Sequence, residues 1–218
     1  MDILSNRPNL LFLIWIRNKH VLFLLNYKLY KNLYYRKLII ALTTKETGSD
    51  DYGVFIIWKV NGKIHRDDGP ACITGISNDS PNGTIHNYYQ HGILRRDDGP
   101  AIIQGISKEN PNGTRHCYHM NGKRHRNYGP AYILGISKDN PNGTYHEYWI
   151  NGDRHRDDRP AIIGGISKEN PNGTIHEYYR NGELHRNNGP AIIYQISTEN
   201  PNGTSHAYYL NGTQVNPF

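Results

Sequence analysis

The chain has 218 residues, enough for one ordinary domain or a small segment plus a repeat array. It carries 22 Gly, 12 Pro and 17 Tyr against 4 Phe, and only 36% hydrophobic residues, a mixture that favours many short strands and turns over a large aliphatic core. Two cysteines, Cys72 and Cys117, at unrelated positions exclude a disulfide framework or a cysteine-rich zinc module and point to a reducing compartment such as the cytoplasm.

The formal charge of +6 is unevenly distributed. Residues 1–50 hold eight Lys/Arg and three acids, whereas the remainder holds 17 basic and 16 acidic residues. Past residue 50 there is no long basic stripe to follow a phosphate backbone, so nucleic acid is not an expected partner of that region.

The first fifty residues contain two apolar runs, Leu10 to Ile16 and Val21 to Leu25, separated by Arg17-Asn18-Lys19-His20. That break leaves neither run near the roughly 20 apolar residues a bilayer span needs, and a small-residue cleavage site is absent. Helical spacing of Val21, Leu24, Leu25 and Leu29 predicts short helices over 9–16, 19–30 and 31–43. These would cap the array or, through residues 9–43, rest an apolar face with basic flanks on a membrane surface.

From about residue 51 one unit repeats every 30 residues. His65-Arg66-Asp67-Asp68-Gly69-Pro70-Ala71 returns in variant form at 95–101, 125–131, 155–161 and 185–191. Pro-Asn-Gly-Thr-x-His-x-Tyr runs at 81–88, 111–118, 141–148, 171–178 and 201–208. Fixed-period self-similarity without insertion or deletion marks an array of one stacked supersecondary unit. The divisions read 1–50 for the N-terminal segment and 51–218 for the array, with a half unit at 54–65 and five complete units.

Within a unit, Thr84 to Tyr89 reads as a strand ended by a tight turn. That turn is Asn-Gly at 61–62, 121–122, 151–152, 181–182 and 211–212, a pair that accepts the positive φ of a hairpin turn. The second strand, Ala71-Cys72-Ile73, follows Asp-Asp-Gly-Pro. Gly75, Gly105, Gly135 and Gly165 then suggest a bulge that returns Ile76 and its counterparts to the inner face, with Gln195 replacing the glycine in the last unit. The expected fold is mostly β: an elongated single-layer antiparallel sheet of tandem hairpins, with a short α-helical N-terminal segment.

Alternation along the strand separates the faces. Thr, His and Tyr recur at 84, 86 and 88 in every unit, which predicts a packed face carrying His86, His116, His146, His176 and His206. Residues 85 and 87 and their counterparts vary, which predicts an exposed face. On that face Tyr89, His119, Trp149, Tyr179 and Tyr209 form a mostly aromatic row, read either as cross-strand packing or as a binding surface.

Chemistry has little support in the pattern. Successive histidines of the 86 column would stand roughly 10 Å apart, too far to share an ion bound at about 2 Å, and no metal or cofactor is expected. The acids at 67–68, 97–98 and 157–158 give way to Asn127-Tyr128 and Asn187-Asn188, as turn residues do. Arg66, Arg96, Arg126, Arg156 and Arg186 are candidates to pair with those acids in a repeated salt bridge. No nucleophile elbow or phosphate loop is present, so no catalytic residue is assigned. Asn-Gly-Thr at Asn82, Asn112, Asn142, Asn172, Asn202 and Asn211 fits the glycosylation pattern, but the turn alone accounts for it.

The segment Tyr178-Tyr179-x-Asn181-Gly182-x-x-His185-Arg186-x-x-Gly189-Pro190-Ala191 resembles a MORN-type repeat. The resemblance covers about three quarters of the chain and implies hairpins added edge to edge. It departs from the family by having Arg at the 66 column in place of Gly, and by its longer period. Units with this His-Arg-x-x-Gly-Pro-Ala element are similar to repeats in large-virus and phage proteins of unassigned role, which would place the chain in a host cytoplasm. Residues 11–22 faintly resemble the leaders of amoebal FNIP-repeat and F-box-like proteins, implying an adaptor segment. The functional expectation is a non-enzymatic scaffold for protein–protein interaction. The alternatives are a membrane-surface protein held through residues 9–43 and a glycan-binding surface.

Overall fold

The computed structural model describes residues 12–16, 19–23, 42–51 and 53–217. No helix occurs among them. The helices expected over 9–16 and 19–30 fall on two strands instead, Phe12–Ile16 and Lys19–Phe23, paired antiparallel. Apolar runs this short satisfy a strand as readily as a helix, and Leu13↔Leu22 and Ile14↔Val21 stand opposite each other. The rest of those two expected helices, and the one near 31–43 as far as residue 41, lie outside the described residues. Thr43 itself begins a strand.

The array is one long antiparallel sheet of 14 strands whose spatial order follows the chain. Its first strand is Thr43–Asp50, paired along its whole length to Gly53–Val60. Threonine, lysine, glutamate, serine and aspartate fill that edge strand, so an otherwise open row of backbone groups carries little apolar surface. Each unit then contributes two strands, such as Ile102–Gln104 and Arg115–Cys117, and each such inner strand is bonded on both sides. The far end closes on the hairpin of Ser205–Leu210 with Thr213–Val215.

The Asn-Gly turns close a second, smaller set of hairpins, for example His119–Met120 with Lys123–Arg124. Asn121 has φ 52° and Gly122 φ 77°, the double positive pair of a type I′ turn. His91 occupies the same position at φ 52°. Consecutive turns are linked, the Gly122 N–H donating to Leu94 O and the Gly152 N–H to Arg124 O.

Gly105 has φ 68°, and the Ile106 N–H reaches Thr84 O after Gln104 has paired with Ile85. One extra residue is thereby inserted, and Ile106 returns to the face of Ile103, where it is 8% exposed. The connection back to the next unit folds over this face: a Cβ on Gly113 would fall 2.8 Å from the Ile103 methyl. The core is thin and repeated, made of Ala71, Ala101, Ala131, Ala161 and Ala191 at 0% exposure with Ile136, Ile166 and Ile196.

Candidate functional site

The recurrent residues are consumed by the fold. In the sheet His86 stands opposite Ile73 on one side and Ile103 on the other, and the same alternation of His and Ile continues to His206. His86, His116, His146, His176 and His206 each place Nε2 2.7 Å from the backbone carbonyl of the residue four before, Asn82 to Asn202. Nε2 therefore carries a proton and donates, tying the Asn-Pro-Asn-Gly turn to its strand. Burial, with nearby arginines, holds the imidazoles of His146 and His176 below the usual histidine range.

The arginine column does something the sequence reading did not foresee. Arg96, Arg126, Arg156 and Arg186 lie 3.8–4.1 Å over the rings of Tyr88, Tyr118, Tyr148 and Tyr178, and Arg66 lies 4.2 Å over Trp58. Nη1 of Arg126, Arg156 and Arg186 also donates to the proline carbonyl four residues on, at 3.1 Å. The expected salt bridges form at Arg66–Asp68 and Arg96–Asp98. Where the acid gives way to Tyr128 or Asn188, the stack on tyrosine and the carbonyl bond remain. Stacking pins the His-Arg-x-x-Gly-Pro loop to the sheet, so tyrosine fixes the arginine.

The second histidine set joins units. His65, His125, His155 and His185 accept at Nδ1 from the backbone N–H of His91, Asn151, Asn181 and Asn211, 26 residues on, at 3.0–3.1 Å. In the first three, Nε2 faces Asp67, Asn127 or Asp157. Asn110 and Asn170 make a parallel link, each donating Nδ2 to a carbonyl of the next unit, Ile136 or Ile196.

The opposite face differs from unit to unit, and its centre is not the open surface expected from the variable column. Glu147, in that column, is 6% exposed. Its carboxylate accepts from Trp149 Nε1 at 2.7 Å, Tyr145 OH at 3.1 Å, Arg154 Nη2 at 3.2 Å and Arg124 Nη1 at 3.3 Å. Arg124 and Arg154 sit 4.7 and 5.1 Å from the Trp149 ring. Arg124 also lies 5.0 Å from Tyr132 and Arg154 5.5 Å from Tyr179. The result is a ladder of alternating rings and guanidinium groups across three units, closed from below by one buried carboxylate. Burial and the Glu147 charge push the Tyr145 hydroxyl far above its usual range, and burial with Glu177 raises that of Tyr179.

Of the predicted aromatic row, the structure brings Trp149 and Tyr179 into this ladder. His119 pairs with Arg124 in its short hairpin, and burial and the Arg124 charge hold its imidazole low. Tyr89 stands opposite Leu94, and Tyr209 opposite Gln214. Tyr132, Tyr145, Glu147, Arg124 and Arg154 were not predicted. Their signal was the column Leu94, Arg124, Arg154, Leu184, which the hairpin register sets directly across from the aromatic row. Leu134 and Tyr194 lie on the same face at 41% and 40% exposure.

Among the described residues no group of three or more His, Cys, Asp or Glu could hold a metal ion, and no helix is long and apolar enough to cross a membrane. Searches of family models, curated proteins and solved structures find no match for this chain.

Proposed function

We propose that the chain is a non-enzymatic, MORN-like repeat scaffold whose variable sheet face binds a protein partner in the cytoplasm. One observation carries this reading: the two faces of the same strands are used differently. The His, Ile, Tyr and Arg columns recur in every unit and spend their polar groups on internal hydrogen bonds and stacks. On the other face the columns vary, Asn87, Cys117, Glu147, Glu177 and Ala207 in one and Leu94, Arg124, Arg154 and Leu184 in another. Around Glu147 these side chains bond to one another rather than to the recurrent frame. Variation laid over a fixed frame is how a repeat array acquires a distinct surface. The half-exposed Leu134 and Tyr194 flank the central ladder and offer apolar contacts beside its rigid charged rings. Trp149 contributes by holding that ladder in place.

The test is affinity purification with the full chain from its native source. Leu134→Glu and Tyr194→Glu, which alter only exposed positions, are expected to lose the captured protein. Tyr128→Ser, at a loop residue 90% exposed, is expected to keep it. Equal capture by all variants would remove the variable face from the account.

A further inference from the structure

Four of five junctions between successive units share one clamp, and the remaining one lacks it. At the clamped junctions a histidine Nδ1 accepts from the next turn's N–H. The arginine that follows the histidine donates its own N–H to a carbonyl of that short hairpin, as Arg66 to Tyr89, Arg126 to Trp149, Arg156 to Tyr179 and Arg186 to Tyr209. At the junction between 95 and 121 the histidine is Arg95. Its guanidinium is turned to the Asp97 carboxylate, at 2.8 and 3.2 Å, and to Asn121 Oδ1 at 3.3 Å. No bond from Arg96 N–H to His119 O forms among the described residues. A cavity of 330 Å³ opens at this place, lined by Arg96 to Gly99 on one side and by Tyr118, His119, Met120, His125 and Asn127 on the other.

We infer that this groove binds the histidine side chain of an extended segment of the protein partner, completing in trans the clamp that Arg95 leaves unmade. The inference deepens the proposed function and rests on it. The ligand chemistry is read from the fold itself, because an imidazole fills the equivalent position at the other four junctions. It accepts from a turn N–H through Nδ1, and at three of them its Nε2 faces an Asp or Asn oxygen. The Asp97 carboxylate is part of the lining, and Asn121, whose N–H holds the place of the donors at the other four junctions, directly follows Met120 of that lining. An incoming imidazole must displace Arg95 from Asp97 and Asn121 Oδ1, and the Arg95 side chain, 37% exposed, can turn into solvent once those bonds are broken.

Amide NMR of the full chain at pH 8, in buffer free of imidazole, tests this directly. Imidazole and the blocked tripeptide acetyl-Gly-His-Gly-amide are each expected to shift the amides of Arg96, Asn121 and Asn127, with half-saturation on the order of millimolar for so small a ligand. Arg95→Ala is expected to tighten binding severalfold. Arg95→His is expected to abolish it while protecting the Asn121 amide from exchange. Absence of shifts in both wild type and Arg95→Ala overturns the inference, as does Arg95→His leaving Asn121 unprotected. Binding of imidazole without the peptide overturns the assignment to a partner histidine. None of these failures touches the variable face, which the Leu134 and Tyr194 variants test separately.

Discussion

Gln195 has φ 57° where the four preceding units place glycine at 68–74°. A side chain in that region crowds the following carbonyl, and a Cβ here also points at the column of Thr84, Thr114, Thr144 and Thr174, which Thr204 continues. The Thr204 hydroxyl and the Gln195 side chain meet. Gln195→Gly is therefore expected to raise stability by about 1 kcal/mol, read as a higher midpoint in urea at unchanged slope. Glu147 is the opposite case, a buried carboxylate with four donors. Glu147→Ala strands Trp149 Nε1 and separates two guanidinium groups from their common anion. It is expected to cost about 2–4 kcal/mol, and Glu147→Gln less, since one acceptor survives. A cost near zero for Glu147→Ala would show the ladder to be decoration.

The elements are tied by polar links as well as by apolar burial, and the histidines among those links make them sensitive to acid. The folded imidazoles of His146 and His176 are held below their ordinary value, mainly by burial. The unfolded chain consequently binds more protons as pH drops through about 6.5, and stability is lost down through the depressed folded values. Urea midpoints are expected to fall between pH 7.5 and 5. The double variant His146→Gln/His176→Gln, which keeps an N–H donor in each place, should show a shallower slope. A later loss, at lower pH, belongs to Asp68 and Asp98, whose carboxyls their bonded arginines hold below the usual range. The connections offer a gain instead. Ser80 stands where Asn110 and Asn170 bridge to the next unit, and its hydroxyl is too short to do so. Ser80→Asn is expected to add that bridge to Ile106 O, worth about 1 kcal/mol in the same urea measurement.

At the scale of the whole molecule, what could be read from sequence follows from how local its causes are. The Asn-Gly turns and the glycine bulge depend on residues adjacent in the chain, and the first occurs five times and the second four at a fixed period. Phe12–Ile16 and Lys19–Phe23 occur once, and apolar runs of five and three residues fit either period. The Glu147 ladder was illegible for another reason: Arg124, Glu147 and Arg154 come together only through strand register and the side hairpins. The fixed period also governs how the array tolerates shortening. Removing residues 91–120 joins residue 90 to Asn121 in register, brings His65 against the Asn121 turn, and deletes Arg95 with its unclamped junction. Removing 151–180 also keeps register, but deletes the His155 clamp and Arg154, which holds Glu147. Both shortened chains are expected to fold, and to be shorter by roughly 10 Å in small-angle scattering, the width of two strands. The chain lacking 91–120 is expected to melt at the higher temperature of the two. A nearest-neighbour array loses stability in proportion to the interface removed, and the junction at Arg95 has the fewest bonds to lose. The reverse order of melting would mean that junction strength is set by something other than the histidine clamp.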